Sequence, residues 1–287
     1  RYQQPYLFLT KQALWAVLGL AFLGVIMRID YRTYREPVFL WSSLVIVLIG
    51  LVLVLFSPPV NSARRWFAMG GLGIQPSELA KLSAIFFIAA LLERRMHRIN
   101  EVRYSLTPIA VVVALLVTLI LLEPDFGTSV TLVLIASAMV FAAGLNYRFI
   151  STAALTLLPL VAIIAVAEPY RRSRLLAFLN PWDDPLNTDF QIVQSLLAVG
   201  TGGISGRGLM NGVQKLFYLP YPHTDFIYAV ISEELGLIGA TLVLGCFCVI
   251  AWRGLRVAVT APDKFGALLA IGLTTMVAAQ AFVNISV

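Results

Sequence analysis

The stretch Tyr218–Gly239, YLPYPHTDFIYAVISEELGLIG, decides how this chain is read. It opens on prolines and aromatics, passes through His223, Thr224 and Asp225, and runs without a break into an apolar segment. Two adjacent carboxylates, Glu233 and Glu234, lie inside that segment. Helix capping would account for Thr224 and Asp225, since both residue types are favoured N-caps. The alternative is chemical. A carboxylate at the mouth of a spanning helix can meet both water and a lipid-borne molecule, and ionisable groups at membrane depth are costly enough to be functional by default.

Composition identifies the solvent. Of the 287 residues, 59% are apolar and 13% charged, and the mean hydropathy is +0.86. Soluble domains carry about 45–50% apolar and about 25% charged residues. The chain is therefore expected to be all-α, a polytopic transmembrane helical bundle forming one domain over 1–287. The net charge of +6 does not point to nucleic acid, because in a multi-pass protein the position of each charge matters more than the sum. Cys246 and Cys248 fall on nearly opposite faces of a helix, which argues against a mutual disulfide or a shared metal. The chain starts at Arg1 and stops in an apolar run at Val287, so a fragment is expected.

A spanning helix needs about 20 apolar residues. That rule selects eight segments, 12–27, 38–56, 77–92, 106–122, 128–145, 149–167, 226–251 and 266–287, of which the first and third are short. Arginines and lysines concentrate in alternate connections, at Arg28, Arg32 and Arg35, then Arg94, Arg95, Arg98 and Arg103, then Arg148, then Arg253, Arg256 and Lys264. The positive-inside rule makes these cytoplasmic. The connections 57–76, 122–127 and the long 168–225 then lie on the outer face. A connection that long is functional or disordered, and its aromatic content argues for function. Within it, Gln191–Val199 reads as an amphipathic helix, and Gly200–Gly208 reads as a tight, flexible hinge in preference to an anion nest.

Several charged groups gather on that outer side. Arg64 and Arg65 flank Trp66 and suit either snorkelling beside an aromatic belt or gripping an anionic head group. Pro76, Ser77 and Glu78 read as a helix start with Ser77 as the cap. Glu78 shares a helix face with Lys81, either as a simple ion pair or as part of a polar track facing the bundle interior. Asp125 is expected at the depth of Asp225. Glu233 returns to nearly the same helix face as Asp225, eight positions on. Arg64, Arg65, Lys81, Asp125, Arg207, Lys215, His223 and Asp225 are expected around the mouth of the bundle, as basic groups with a carboxylate among them. Such a set suits an anionic, phosphorylated lipid and a proton abstraction. HExxH, Gly-x-Ser-x-Gly and Walker patterns are all missing, and neither His97 nor His223 has a second histidine nearby to build a zinc site.

The segments NSARRWF from Asn61, QPSELAK from Gln75, EPDFGT from Glu123 and, above all, VQKLFYLPYPHTDFIYAVISEELG from Val213 resemble the SEDS family (shape, elongation, division and sporulation). The Gln-Lys-Leu-x-Tyr-Leu-Pro form looks closer to its division branch than to its elongation branch. The resemblance spans nearly the whole chain in order, with Tyr221 standing where many members carry Glu. It implies ten helices in the full protein, of which the chain would hold the second to the ninth. It also implies polymerisation of lipid II, an undecaprenyl-diphosphate-linked disaccharide pentapeptide, into glycan strands on the outer face of the bacterial cytoplasmic membrane during septal wall synthesis.

On that pattern Asp225 matches the family's essential acid and would be the general base of an inverting displacement. Arg64, Arg65 and Lys215 would stabilise the departing diphosphate, with a divalent cation (Mg or Mn) as a possible helper. Glu78, Lys81, Asp125, His223 and Glu233 complete the expected substrate-binding set. The implied partners are a class B penicillin-binding transpeptidase and other divisome proteins. The rival readings are a lipid II flippase built on the same basic cavity, and a scaffold that recruits division proteins without chemistry.

Overall fold

The computed structural model describes residues 7–58, 64–69, 72–167, 172, 180–182, 190–217 and 224–286. In chain order the helices are α1 (Leu7–Ile26), α2 (Pro37–Val54), α3 (Pro76–Arg95), α4 (Val102–Leu122), α5 (Phe126–Ala142), α6 (Tyr147–Ala167), α7 (Phe190–Gly202), α8 (Gln214–Phe217), α9 (Ile227–Thr260) and α10 (Lys264–Ser286). Strands β1 (Phe67–Met69) and β2 (Leu72–Ile74) form an antiparallel hairpin before α3, with Phe67 opposite Ile74. The chain is a multi-pass, all-α membrane protein, and each expected span falls on a long helix.

Most boundaries move outward from the apolar cores. Helices α1 and α3, expected to be short, are both 20 residues long, which is about 30 Å and enough to cross a bilayer core. Polar ends such as Glu93, Arg94 and Arg95 continue the helix past its apolar centre. Proline stands first in α2 and α3, where its missing N–H costs nothing. Ser77 does not cap α3. The N-cap is Gln75, and Ser77 is buried in the first turn, where its hydroxyl accepts from Gln75 Nε2 at 2.9 Å.

Helix α3 is the centre of the bundle. Its Ile85, Ile88 and Leu92 have no exposed surface and join one core with Leu51, Leu116, Ile120, Leu132, Ile135, Met139 and Phe265. Lipid tails are as apolar as leucine, so helices in a bilayer associate through close packing. Gly272 of α10 shows how close: a Cβ there would stand 2.7 Å from Ile85 and 2.8 Å from Met139.

The arginine-bearing connections meet at one end. Tyr31 Oη and Arg32 Nε both donate to Asp263 Oδ2, at 2.6 and 3.2 Å, and Gly266 N donates to Asp263 Oδ1 at 2.7 Å. Burial would raise the Asp263 pKa, but these three donors outweigh it and hold the carboxyl below the usual range. Arg35 pairs with Glu93 at 3.3 Å across the same end. Arg253 and Arg256, expected in a loop, lie inside α9, from which long side chains can reach the interface.

The span expected at 226–251 is corrected by a break. Gly236 has φ +64 and ψ −164 inside α9. Tyr228 Oη donates to Ala240 O at 3.4 Å, although twelve residues of straight helix rise about 18 Å, beyond a tyrosine's reach. The segment therefore bends sharply, and 237–260, about 36 Å long, crosses the membrane by itself.

The break frees backbone groups, and the chain after α7 takes them up. Leu237 N and Ile238 N donate to Gly203 O and Ile204 O at 2.9 and 3.3 Å. In return, Arg207 N and Gly208 N donate to Glu233 O and Glu234 O, both at 3.0 Å. The glycine cluster is thus a close-packed splint across a broken helix. A Cβ on Gly206, whose φ is +77, would stand 2.1 Å from Glu234 O.

Gly236→Ala is expected to unfold at a lower temperature. The left-handed backbone alone costs about 1–2 kcal/mol, and the new Cβ would meet Gly206 N at 2.3 Å. Gly245→Ala, where nothing lies within 4 Å, is the control, and thermal unfolding in detergent makes the comparison. Equal midpoints for the two variants would show that the break does not need this glycine.

Candidate functional site

The site lies at the other end, where the hairpin and the α4–α5 turn sit. A helix leaves its last carbonyls without intrahelical partners, and two arginines take up that role here. Arg64 Nη1 donates to Leu55 O, at the C-cap of α2, at 3.1 Å. Arg65 Nε donates to Glu123 O, at the C-cap of α4, at 3.0 Å, and a second nitrogen reaches Pro124 O. Each puts a cation at the negative end of a helix dipole.

Asp125 is engaged as well. It is the N-cap of α5, accepting from Thr128 N at 3.1 Å and Thr128 Oγ1 at 2.9 Å, and Gln75 Nε2 donates to it at 2.9 Å. Beside it, Glu123 has no exposed surface, and neither of its carboxyl oxygens takes a hydrogen bond. Burial, with the charge of Asp125 adding to it and that of Arg65 opposing it, pushes the Glu123 pKa up to about 8.

Lys81 is 1% exposed. Its Nζ meets Glu78 Oε1 at 2.8 Å, so the expected ion pair is present, with the lysine buried and the Glu78 side chain half exposed. Glu78 Oε2 accepts from Gln280 Nε2 at 3.0 Å. One turn further along α10, Asn284 Nδ2 donates to Thr224 O at 3.3 Å. The pair on α3 and the turn before α9 thus meet the same face of α10.

Asp225 stands in that turn and does not cap the helix. The N-cap of α9 is Phe226, with no side-chain capping bond, and Phe226 is buried at 5% while Asp225 is exposed. Among the described residues Asp225 takes no hydrogen bond. Its side chain borders a cleft of about 130 Å³ with Ser195, Leu196, Tyr228, Asn284 and Ser286.

Glu233 and Glu234 are drawn into the splint. Glu233 has no exposed surface and accepts from Val213 N at 2.9 Å, Gln214 N at 3.2 Å and Arg207 Nη1 at 3.3 Å. Glu234 takes Lys215 Nζ and Met210 N. Of the expected set, Glu78, with Lys81 paired to it, and the turn that carries Asp225 meet one face of α10, whereas Glu233, Lys215, Arg64, Arg65 and Asp125 hold backbone or neighbouring groups. His223 lies outside the described residues. Sequence reasoning missed Gln280 and Asn284, and the available signal was two amides at i and i+4 near the end of an apolar run.

An exposed carboxylate that takes no hydrogen bond among the described residues, in a cleft with hydroxyl and amide groups, can accept a proton from a polyol. Among the described residues no three His, Cys, Asp or Glu side chains cluster to hold a metal ion.

A family model described as "Cell cycle protein", covering FtsW, RodA and SpoVE, matches residues 1–287. The probable peptidoglycan glycosyltransferase FtsW of Geobacter metallireducens is 42% identical over 294 residues, covering 100% of this chain and 77% of that protein. Stage V sporulation protein E of Bacillus subtilis is 40% identical over 293 residues, covering 100% and 79%. Among solved structures, the rod shape determining protein RodA of Thermus thermophilus superposes with a TM-score of 0.68 at 27% identity, covering 98% of this chain and 75% of that one. A chain from a peptidoglycan synthase complex, solved for the structural coordination of polymerization and crosslinking, gives 0.78 at 30% identity, covering 96% and 77%.

Glu123 makes stability depend on pH. In the unfolded chain it ionises near its ordinary value of 4.5, whereas the fold keeps its proton up to about pH 8. Its contribution is full below the lower value and is lost as pH rises through the higher one. Glu123→Gln, neutral at every pH, is expected to melt with the wild type at pH 5 and above it at pH 8. An unchanged difference between the two pH values would refute the buried neutral acid.

Proposed function

The chain belongs to the FtsW, RodA and SpoVE family of cell cycle proteins, and from that premise we propose that it is a peptidoglycan glycosyltransferase polymerising lipid II at the outer face of the bacterial cytoplasmic membrane. The observation that carries the reading is the state of Asp225. Among the described residues it is an exposed carboxylate without a hydrogen bond, in a turn held by Asn284, one helical turn along α10 from the Gln280 that holds the Glu78–Lys81 pair.

In this proposal the Asp225 carboxylate removes the proton from a sugar hydroxyl as that oxygen attacks the anomeric carbon of a second lipid-linked sugar. The new glycosidic C–O bond forms as the bond to the lipid diphosphate breaks, and the bond electrons leave with the diphosphate. One displacement inverts the anomeric centre, which needs one base and a stabilised leaving group in place of a nucleophile pair. Lys81, buried one turn into α3, supplies a positive potential that low surrounding polarity strengthens. The N–H groups of Arg64, Arg65 and Arg207 not used on carbonyls or Glu233 remain candidates for diphosphate oxygens. A divalent cation, when bound, would neutralise the same leaving group.

A class B penicillin-binding transpeptidase is the proposed partner, supported by the fold shared with a chain of a complex that coordinates polymerization and crosslinking. Division is the proposed setting, supported by the glycosyltransferases named FtsW among the relatives.

A positioned general base contributes about 10²–10⁴ in rate. Asp225→Asn, folded and at wild-type abundance, is expected to lose that factor in glycan chain formation from fluorescent lipid II. Polymerisation at the wild-type rate would remove Asp225 from the mechanism. Lipid II movement across vesicles, without product and undiminished in Asp225→Asn, would favour the flippase.

A further inference from the structure

Gln280 and Asn284 sit four residues apart among Ala279, Ala281, Phe282, Val283 and Ile285, and side chains at that spacing share a helix face. Each uses its amide N–H₂ as a donor. Gln280 holds Glu78, whose other carboxyl oxygen carries the Lys81 ammonium. Asn284 holds the Thr224 carbonyl, one residue before Asp225. Since Asp225 takes no hydrogen bond among the described residues, the backbone turn 224–226 sets where its carboxylate stands. Among the described residues, Phe226, buried in a small cluster with Ala198 and Ala229, and Asn284 both anchor that turn. The two amides also sit on a helix that the core holds rigidly through Phe265, Leu268 and Gly272.

We propose that Gln280 and Asn284 are positioning residues that make α10 a ruler, fixing Asp225 relative to the Lys81–Glu78 pair so that the base addresses the attacking hydroxyl and the cation the departing diphosphate on the two sides of one anomeric carbon. The separation along the ruler is one helical turn, about 6 Å for four residues. A misplacement of about 1 Å can cost 10²-fold in rate, so a single hydrogen bond to the turn is enough to matter. The proposal rests on Asp225 acting as the base.

The test uses the full-length protein in detergent with fluorescent lipid II. Asn284→Ala is expected to lower kcat at least tenfold with KM within twofold, and Gln280→Ala to act in the same direction. Asn284→Gln, which keeps the donor, recovers most of the loss. If Asn284→Ala does not fold, the isosteric Asn284→Asp removes the donor instead. A second readout needs no catalysis: with Cys246→Ala, Cys248→Ala and Asp225→Cys, a water-soluble maleimide alkylates position 225. Its rate is expected to change threefold or more when Asn284 loses its donor and to return in Asn284→Gln. An unchanged kcat, an unchanged alkylation rate, or equal losses in the Ala and Gln variants each overturn the proposal. If Asp225→Asn retains full activity, the general-base reading fails, while alkylation still decides whether Asn284 sets the turn.

Discussion

A helix broken inside a membrane protein must find new partners for its backbone, because unpaired N–H and C=O groups away from water are expensive. Here the break is Gly236, and the partners come from the chain between α7 and α8, which gives two carbonyls and two N–H groups in exchange. The close approach leaves no room for a Cβ on Gly206 or Gly236, so the glycines after α7 and the glycine in α9 belong to one device. The device also explains why adjacent carboxylates follow the tyrosine- and proline-rich stretch. Glu233 collects the N–H groups of Val213 and Gln214, and Glu234 collects Lys215 and Met210 N. Together they tie the returning loop to the bend.

That arrangement divides the charges of the site end into two groups. Arg64 and Arg65 close helix C-termini, Asp125 opens a helix N-terminus, and Glu233, Glu234, Arg207 and Lys215 hold the splint. Their ionisation is matched locally, which limits the cost of keeping them in a largely apolar protein. Asp225 is different in kind, being exposed and, among the described residues, without a hydrogen bond. Lys81 differs in the opposite sense: it is almost wholly buried and meets its single carboxylate on the exposed side of the pair. The turn that carries the exposed carboxylate and the pair that shelters the cation are tied to one face of the same helix.

Helix α10 carries both the packing and the chemistry. Its first half supplies Phe265, Leu268 and Gly272 to the core, and its last turns present Gln280 and Asn284 to the site. Strain or displacement in the core would therefore be felt at the mouth through a rigid rod, since close-packed interiors transmit shifts instead of absorbing them.

Much of this was legible in the order of residues. The length and apolar content of the segments marked where the long helices lie, because only a helix satisfies its own backbone in lipid. The alternation of arginines placed the connections at two ends, and the aspartate of the His-Thr-Asp-Phe stretch stood out because a carboxylate beside a long apolar run needs a reason. What sequence could not reveal was which of several carboxylates and cations would be occupied. Glu233 and Asp225 are eight positions apart and look equivalent on a straight helix, yet the bend at Gly236 buries one and leaves the other at a cleft. That choice depends on hydrogen bonds between segments far apart in the chain, from Gly203 to Leu237, from Gln280 to Glu78 and from Asn284 to Thr224. Local periodicity carries no information about such pairings, so the tertiary structure alone decided them.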